Sequence, residues 1–275
     1  MPHHNPPEDA LGTGGAALVT GGAVRLGAAL VRVLAARGMA VAVHHHTSDA
    51  AAEALVGELR AAGATAVALR ANLLDRAETA GLVPGAAEAL GRPLTVLVNS
   101  ASIFEHDTLQ TATWESWDRH INSNLRAPFE LTQAFAAQAP EPGETDGAFG
   151  REPVARAAVI NLIDQRVLKL TPEFSTYTIA KMGLWALTRT AAQGLAPRVR
   201  VNAIGPGPAL RGVRQSDGHF AAQRRAVPLG RGADPADIAR AMTFLLDSPA
   251  VTGQLICVDG GQHLAWRTPD VLGVE

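Results

Sequence analysis

The chain has 275 residues, with 24 basic and 26 acidic side chains and a formal net charge of −2, a balance that excludes a protein built to coat nucleic acid. Hydrophobic residues make up 47% and charged ones 18%, which is enough apolar surface for a buried core and excludes a disordered tail. The single cysteine, Cys257, excludes an intramolecular disulfide framework and any site with several thiolate ligands.

Met1 to Asp9 is polar and proline-rich with no basic-then-apolar leader pattern, and residues 1–14 read as a flexible N-terminal extension. No apolar run approaches the ~20 residues needed to cross a bilayer. A cytoplasmic protein with no membrane or nucleic-acid partner is expected.

Ala16 to Thr20 is a short apolar run that ends at a glycine pair, the first expected strand. From Leu26, apolar residues recur at Leu30, Val33 and Leu34 on one helical face, and Gly38 stops that helix. Met39 to Val43 reads as a second buried strand. A helix across Ala50 to Ala62, a strand near Thr65 to Leu69 and a helix near Arg76 to Leu90 follow. Leu94 to Val98 is the fourth strand, Trp114 to Gln138 has helical periodicity, and Ala157 to Ile163 is the fifth strand. Thr176 to Leu195 reads as a helix and Val199 to Ile204 as a strand. Asp234 caps a helix that runs to Leu246, and Leu255 to Val258 is the last strand.

Strands that are apolar throughout, separated by amphipathic helices, imply a parallel sheet covered on both faces. Right-handed crossovers make it a doubly wound α/β (Rossmann) sheet that binds ligands at the carboxyl ends of its strands. One domain over residues 1–275 is expected, because there is no internal repeat and no second composition regime. Pro140 to Pro153 reads as a mobile surface insertion, and Gly205 to Gly232 as a long loop covering the site.

The segment Thr20-Gly21-Gly22-Ala23-Val24-Arg25-Leu26-Gly27 joins the first strand to the first helix. Glycines there let the backbone approach a pyrophosphate, which the helix N-terminus then meets with N–H donors. Gly21, Arg25, Leu26 and Gly27 are therefore candidate cofactor residues. The end of the second strand discriminates between nicotinamide cofactors, since a free 2′-hydroxyl wants an acid there. This chain offers His44-His45-His46-Thr47-Ser48 and no carboxylate until Asp49. Thr47 and Ser48 can donate to a 2′-phosphate, and Arg25 or His46 can neutralise it, so NADP(H) is expected. Zinc held by the three adjacent histidines is disfavoured, because successive strand side chains alternate faces, and no metal is expected.

Tyr177 and Lys181 are four apart on an expected helix and share a face. A lysine cation near a phenol lowers a pKa that starts near ~10, so the pair could donate a proton near neutrality. Asp164, at the end of the fifth strand, is placed to join them at the carboxyl edge of the sheet.

In order and spacing, Thr20-Gly21-Gly22…Gly27, Asn99-Ser100-Ala101, Asn124, Tyr177-x-x-x-Lys181 and Gly205-Pro206-Gly207 resemble the short-chain dehydrogenases/reductases from about Ala16 to Gly261. The resemblance implies that Tyr177 donates the proton, that Lys181 lowers its pKa and holds the nicotinamide ribose, and that Asn124 supports a relay water. It also implies cofactor contacts from Asn72, Leu73, Asn99, Ser100, Ala101, Pro206 and Gly207. Asn72 stands where the family usually has aspartate, and Ser100 replaces a second asparagine.

Two departures narrow the resemblance. Asp164 stands where most members have serine, and Arg25 where most have glycine. Both are similar to the pteridine reductases, as are His46-Thr47-Ser48 and Asn99-Ser100-Ala101-Ser102-Ile103-Phe104. That likeness implies a pterin stacked between Phe104 and the nicotinamide, Arg25 near the cofactor phosphates and the pterin, and Asp164 sharing proton delivery with Tyr177 and Lys181. Ser102, Pro208 and Leu210 complete the expected substrate contacts, although Pro208 and Ala209 depart from the subfamily pattern. Hydride addition to a C=N bond needs such a proton relay, and a flat heterocycle gains from aromatic stacking.

The expected function is NADPH-dependent reduction of a pterin or folate. One alternative is a ketone or 3-oxoacyl carbonyl reductase of the same fold. A second, from another class, is a non-catalytic dinucleotide sensor. The resemblance further implies a homotetramer, with the tail after Gly261, including Trp266 and Arg267, placed to reach a neighbouring subunit.

Overall fold

Seven parallel strands in the order β3-β2-β1-β4-β7-β8-β9 form the sheet of the computed structural model, which describes residues 11, 14–212 and 215–266. They are β1 (Ala16–Val19), β2 (Ala40–His45), β3 (Ala66–Arg70), β4 (Val96–Asn99), β7 (Ala157–Leu162), β8 (Val199–Pro206) and β9 (Leu255–Val258). The strand order reverses between β1 and β4, so the crevice that binds ligands in such sheets opens at their carboxyl ends.

The helices are α1 (Arg25–Ala36), α2 (Asp49–Ala61), α3 (Arg76–Leu90), α4 (Trp114–Ile121), α5 (Ala127–Gln138), α6 (Ser175–Leu195), α7 (Asp217–Arg225) and α8 (Pro235–Asp247). Successive strand residues face opposite ways, and this divides the core in two. Ala17, Val19, Val41, Val43, Val96 and Val98 pack under α1, α2 and α8. Ala16, Leu18, Ala40, Ala42 and Leu97 pack under α3 and α5. Both faces are covered, which is why these strands read as unbroken apolar runs.

Four segments depart from the sequence expectations. The helical stretch from Trp114 to Gln138 is α4 and α5 joined by a π-helical turn, Asn122–Arg126. Pro140 to Pro153, expected as an insertion without regular structure to mark it, contains an antiparallel surface hairpin, β5 (Gly143–Gly147) with β6 (Gly150–Val154). Its strands are largely exposed on both faces, so no apolar alternation marked them. The Gly205 to Gly232 loop contains α7, capped by Ser216. Most of the extension, residues 1–10, 12 and 13, lies outside the described residues, but Leu11 is core: its side chain is buried and its carbonyl accepts from Arg37 Nη2 at 3.1 Å. In the C-terminal tail Trp266 is exposed and Arg267 lies outside the described residues. No described helix is long and apolar enough to cross a membrane.

Candidate active site

The turn after β1 is held from three sides. Thr20 Oγ1 accepts from the backbone N–H groups of Ser100 and Ala101 at 2.9 and 3.0 Å, tying it to the end of β4. Gly21 has φ +61°, and a Cβ there would lie 2.9 Å from Ala101 Cα, so only glycine fits. A Cβ on Gly27 would lie 2.1 Å from the Gly21 carbonyl oxygen, which sets how closely α1 approaches the turn.

His44, unrecognised as a functional residue in the sequence, supports the turn from beneath. The Gly21 N–H donates to its Nδ1 at 3.0 Å, so the proton sits on Nε2, which donates to the Ala71 carbonyl at 3.0 Å. Burial lowers its pKa to about 4 and keeps the ring neutral in this bridging tautomer. The cap of α1, Val24, has no side-chain hydrogen bond to give, so the first-turn N–H groups are left for an anion.

A cavity of about 340 Å³ lies beyond this turn, with His46, Thr47, Ser48, Asn72 and Leu73 on its wall. Asn72 Oδ1 accepts from Leu74 N–H at 3.0 Å, which leaves the amide nitrogen as its donor. A second cavity of about 390 Å³ holds Gly27, Ser100, Phe104, Asp164, Tyr177, Lys181, Pro206, Gly207 and Leu210. The two share Gly21, Val24, Ala101 and Ser102, so they are adjoining lobes of one cleft.

Several expected contacts fall elsewhere. Arg25, a non-glycine at φ +55°, lines the second lobe and donates to the carbonyls of Leu210 at 3.2 Å and Arg211 at 2.9 Å. Its guanidinium thus ties the glycine turn to the loop after β8 and is absent from the lobe with Thr47 and Ser48. The Asn99 side chain turns into the sheet and donates to Asn161 Oδ1 at 2.8 Å, lining neither lobe. Pro208 is off the wall, and its carbonyl accepts from Arg224 at 2.9 Å. Asn124 uses both ends of its amide on the backbone of Ile103, accepting at 2.9 Å and donating at 2.8 Å. Its side chain therefore positions the Phe104 loop.

Asp164 and Tyr177 meet as expected. The Tyr177 hydroxyl donates to Asp164 Oδ2 at 3.0 Å, while Asp164 Oδ1 accepts from Arg166 N–H at 2.8 Å. Burial pushes the Asp164 carboxyl above the usual carboxylate range. Tyr177 is also raised, by burial and then by the charge of Asp164. Burial and Asp164 set the direction at the phenol. The ammonium of Lys181 donates to the Leu162 carbonyl at 2.8 Å and lies 5.7 Å from the Tyr177 ring centroid, and burial lowers its own pKa to about 8.

Phe104 is 46% exposed at the cleft, not a core side chain. Phe174 stacks on it, with centroids 4.3 Å apart and planes at 9°, and Tyr177 meets it edge-on at 4.7 Å. Phe174 sits at φ +59°, where α6 begins. Sequence reasoning missed it; its place three residues before Tyr177 was the available signal.

A dinucleotide-sized cleft at the switch point of a parallel sheet, with a Tyr–Lys pair and a carboxylate at its floor, defines a nicotinamide-dependent oxidoreductase. Residues 22–263 match the family model described as Enoyl-(Acyl carrier protein) reductase, and the chain belongs to the short-chain dehydrogenase/reductase family. It is 32% identical over 253 residues to the 3-oxoacyl-[acyl-carrier-protein] reductase of Staphylococcus aureus, covering 90% of this chain and 98% of that protein. Among solved structures it is similar to FolM alternative dihydrofolate reductase 1 from Brucella canis complexed with NADP, at 38% identity and TM-score 0.86, covering 95% of this chain and 98% of that one. The Brucella suis FolM structure, also with NADP, matches at 39% identity and TM-score 0.86, covering 94% and 98%.

Proposed function

We propose that this chain reduces a pterin or folate ring with NADPH, and that Asp164, Tyr177 and Lys181 carry the proton chemistry. The observation that carries this reading is the Asp164–Tyr177 hydrogen bond beside the exposed Phe104 ring in one lobe of the cleft. A carbonyl reductase needs a neutral donor to polarise its carbonyl oxygen, whereas a buried acid beside a phenol suits protonation of a ring nitrogen. The similarity to FolM supports the same reading.

The cofactor is NADP(H), and the residues present fit it. Uncapped N–H groups of α1 and the glycine turn suit the pyrophosphate, and Thr47 and Ser48 lie on the wall where the 2′ end belongs. When bound, its nicotinamide supplies the hydride. The Phe104 ring offers the substrate a stacking face, with Phe174 fixing that ring from behind. The proton shared by Asp164 Oδ2 and Tyr177 Oη then goes to the nitrogen that hydride addition leaves electron-rich. Lys181 holds positive charge at the floor and hydrogen-bonds to Leu162, which keeps it beside the Tyr177 ring. The homotetramer belongs to the same reading, supported by Phe129, Ile179 and Met182 exposed on α5 and α6. Light scattering tests that state.

A second reading, 3-oxoacyl reduction, is favoured by the Staphylococcus aureus relative. Loss of NADPH absorbance with dihydropterins, dihydrofolate and an acetoacetyl thioester distinguishes them. Consumption with the pterins or dihydrofolate supports the first reading, and consumption with the thioester alone supports the second.

A further inference from the structure

With Arg25 turned to the carbonyls of Leu210 and Arg211, the adenosine lobe lacks the guanidinium expected to meet the 2′-phosphate. Another guanidinium lies beside the residues that follow β2, next to the wall of that lobe. Arg70 ends β3 and pairs in register with His45, so its side chain leaves the sheet beside the end of β2. Its Nε donates to the His46 carbonyl at 3.2 Å and lies 3.9 Å from Asp49 Oδ1. Those two contacts bracket Thr47 and Ser48, both on the wall of the lobe.

We propose that Arg70 is the cation that binds the 2′-phosphate and so selects NADP(H) over NAD(H). Three observations carry this. First, the residues after β2 handle the 2′ position of the ribose in this class of sheet. Here Asp49, the carboxylate that follows Ser48, lies 3.9 Å from Arg70, so its repulsion of a phosphate is offset. Second, Ser48 precedes α2 without making a side-chain cap, so its hydroxyl is not committed to the helix. Third, Arg119, the arginine on the wall of this lobe, is held by both oxygens of Glu105 at 2.7 and 3.1 Å, while the contact of Arg70 with Asp49 is longer and solvent-facing. A guanidinium in a loose, exposed ion pair exchanges partners at little cost, and a phosphate dianion is the stronger acceptor.

The inference concerns the cofactor and stands apart from the pterin reading. Its test is binding of NADPH, NADH, adenosine 2′,5′-bisphosphate and 5′-AMP by calorimetry, with the wild type and Arg70→Gln. The expected result is about a ten- to hundredfold weaker Kd for NADPH and the bisphosphate, with NADH and 5′-AMP unchanged. Asp49→Asn should tighten NADPH alone, and Arg70→Gln should flatten the salt dependence of NADPH binding. Equal losses for NADPH and NADH, or no loss for either, would overturn the proposal. Unchanged NADH binding also reports that the variant is folded.

Discussion

The Tyr177 hydroxyl donates to Asp164 Oδ2 across 3.0 Å, while the ammonium of Lys181 donates to the Leu162 carbonyl at 2.8 Å. Tyr177 and Asp164 are both buried, and burial raises the proton affinity of each. The acid proton is thus retained to higher pH than an ordinary carboxyl would hold it.

Asp164→Asn removes the carboxylate and keeps the shape. Pterin reduction should fall by roughly 10²- to 10⁴-fold, the usual contribution of a positioned proton donor, while NADPH binding is unchanged. In the wild type, turnover should decline as pH rises through the elevated Asp164 pKa, because the proton to be delivered has left. Asp164→Asn should lose that limb. A pH series of kcat and kcat/KM checks both outcomes.

Lys181 ties stability to pH. Burial lowers its pKa from 10.5 to about 8, so between those values the unfolded chain holds the proton that the folded chain gives up. The penalty of burying the charge is complete below pH 8 and fades as pH rises toward 10.5. Urea unfolding of the wild type relative to Lys181→Met should therefore shift in favour of the wild type from pH 8 to pH 10. A gain on the order of 1–3 kcal/mol is expected. A flat difference would show that this lysine does not lose its proton in that window.

Gly27 and Gly57 should respond oppositely to alanine. At Gly27 the new Cβ would meet the Gly21 carbonyl oxygen at 2.1 Å, pushing α1 off the turn. Gly27→Ala should cost about 2–4 kcal/mol and abolish NADPH binding. Gly57, inside α2, has nothing within 4 Å of its would-be Cβ, so Gly57→Ala should stabilise by about 0.5–1 kcal/mol. Thermal melts and nucleotide titration read the contrast.

Phe104 and Phe174 stack on each other, and the proposed pterin reading makes them one shelf for the substrate. Phe104→Ala removes the cleft-facing ring and should raise KM for a pterin by roughly tenfold, from about 0.5–1.5 kcal/mol of stacking. Phe174→Ala removes only its support and should raise KM by a smaller factor. Equal KM values in both variants and the wild type would remove Phe104 from the substrate face.

The proposed catalytic residues were legible because they sit at fixed local spacings. Tyr177 and Lys181 are one helical turn apart, and Asp164 lies two residues past a strand whose apolar run is unmistakable. The hairpin of β5 and β6 was not legible, because strands exposed on both faces carry no period-2 apolar signal. His44 was hidden among three histidines; only the paired strands show that its ring reaches Gly21 on one side and Ala71 on the other.

Spacing along the chain by itself determined the alternating parallel sheet, the glycine turn and the shared face of Tyr177 and Lys181, because each follows from residues a few positions apart. Tertiary packing alone decided the long-range partners. Arg25 finds carbonyls 185 and 186 residues away, Asn99 turns to Asn161, and Arg70 folds over the end of β2. A long side chain has many rotamers, and which one is occupied depends on what the folded chain brings within its reach, a property no local periodicity encodes.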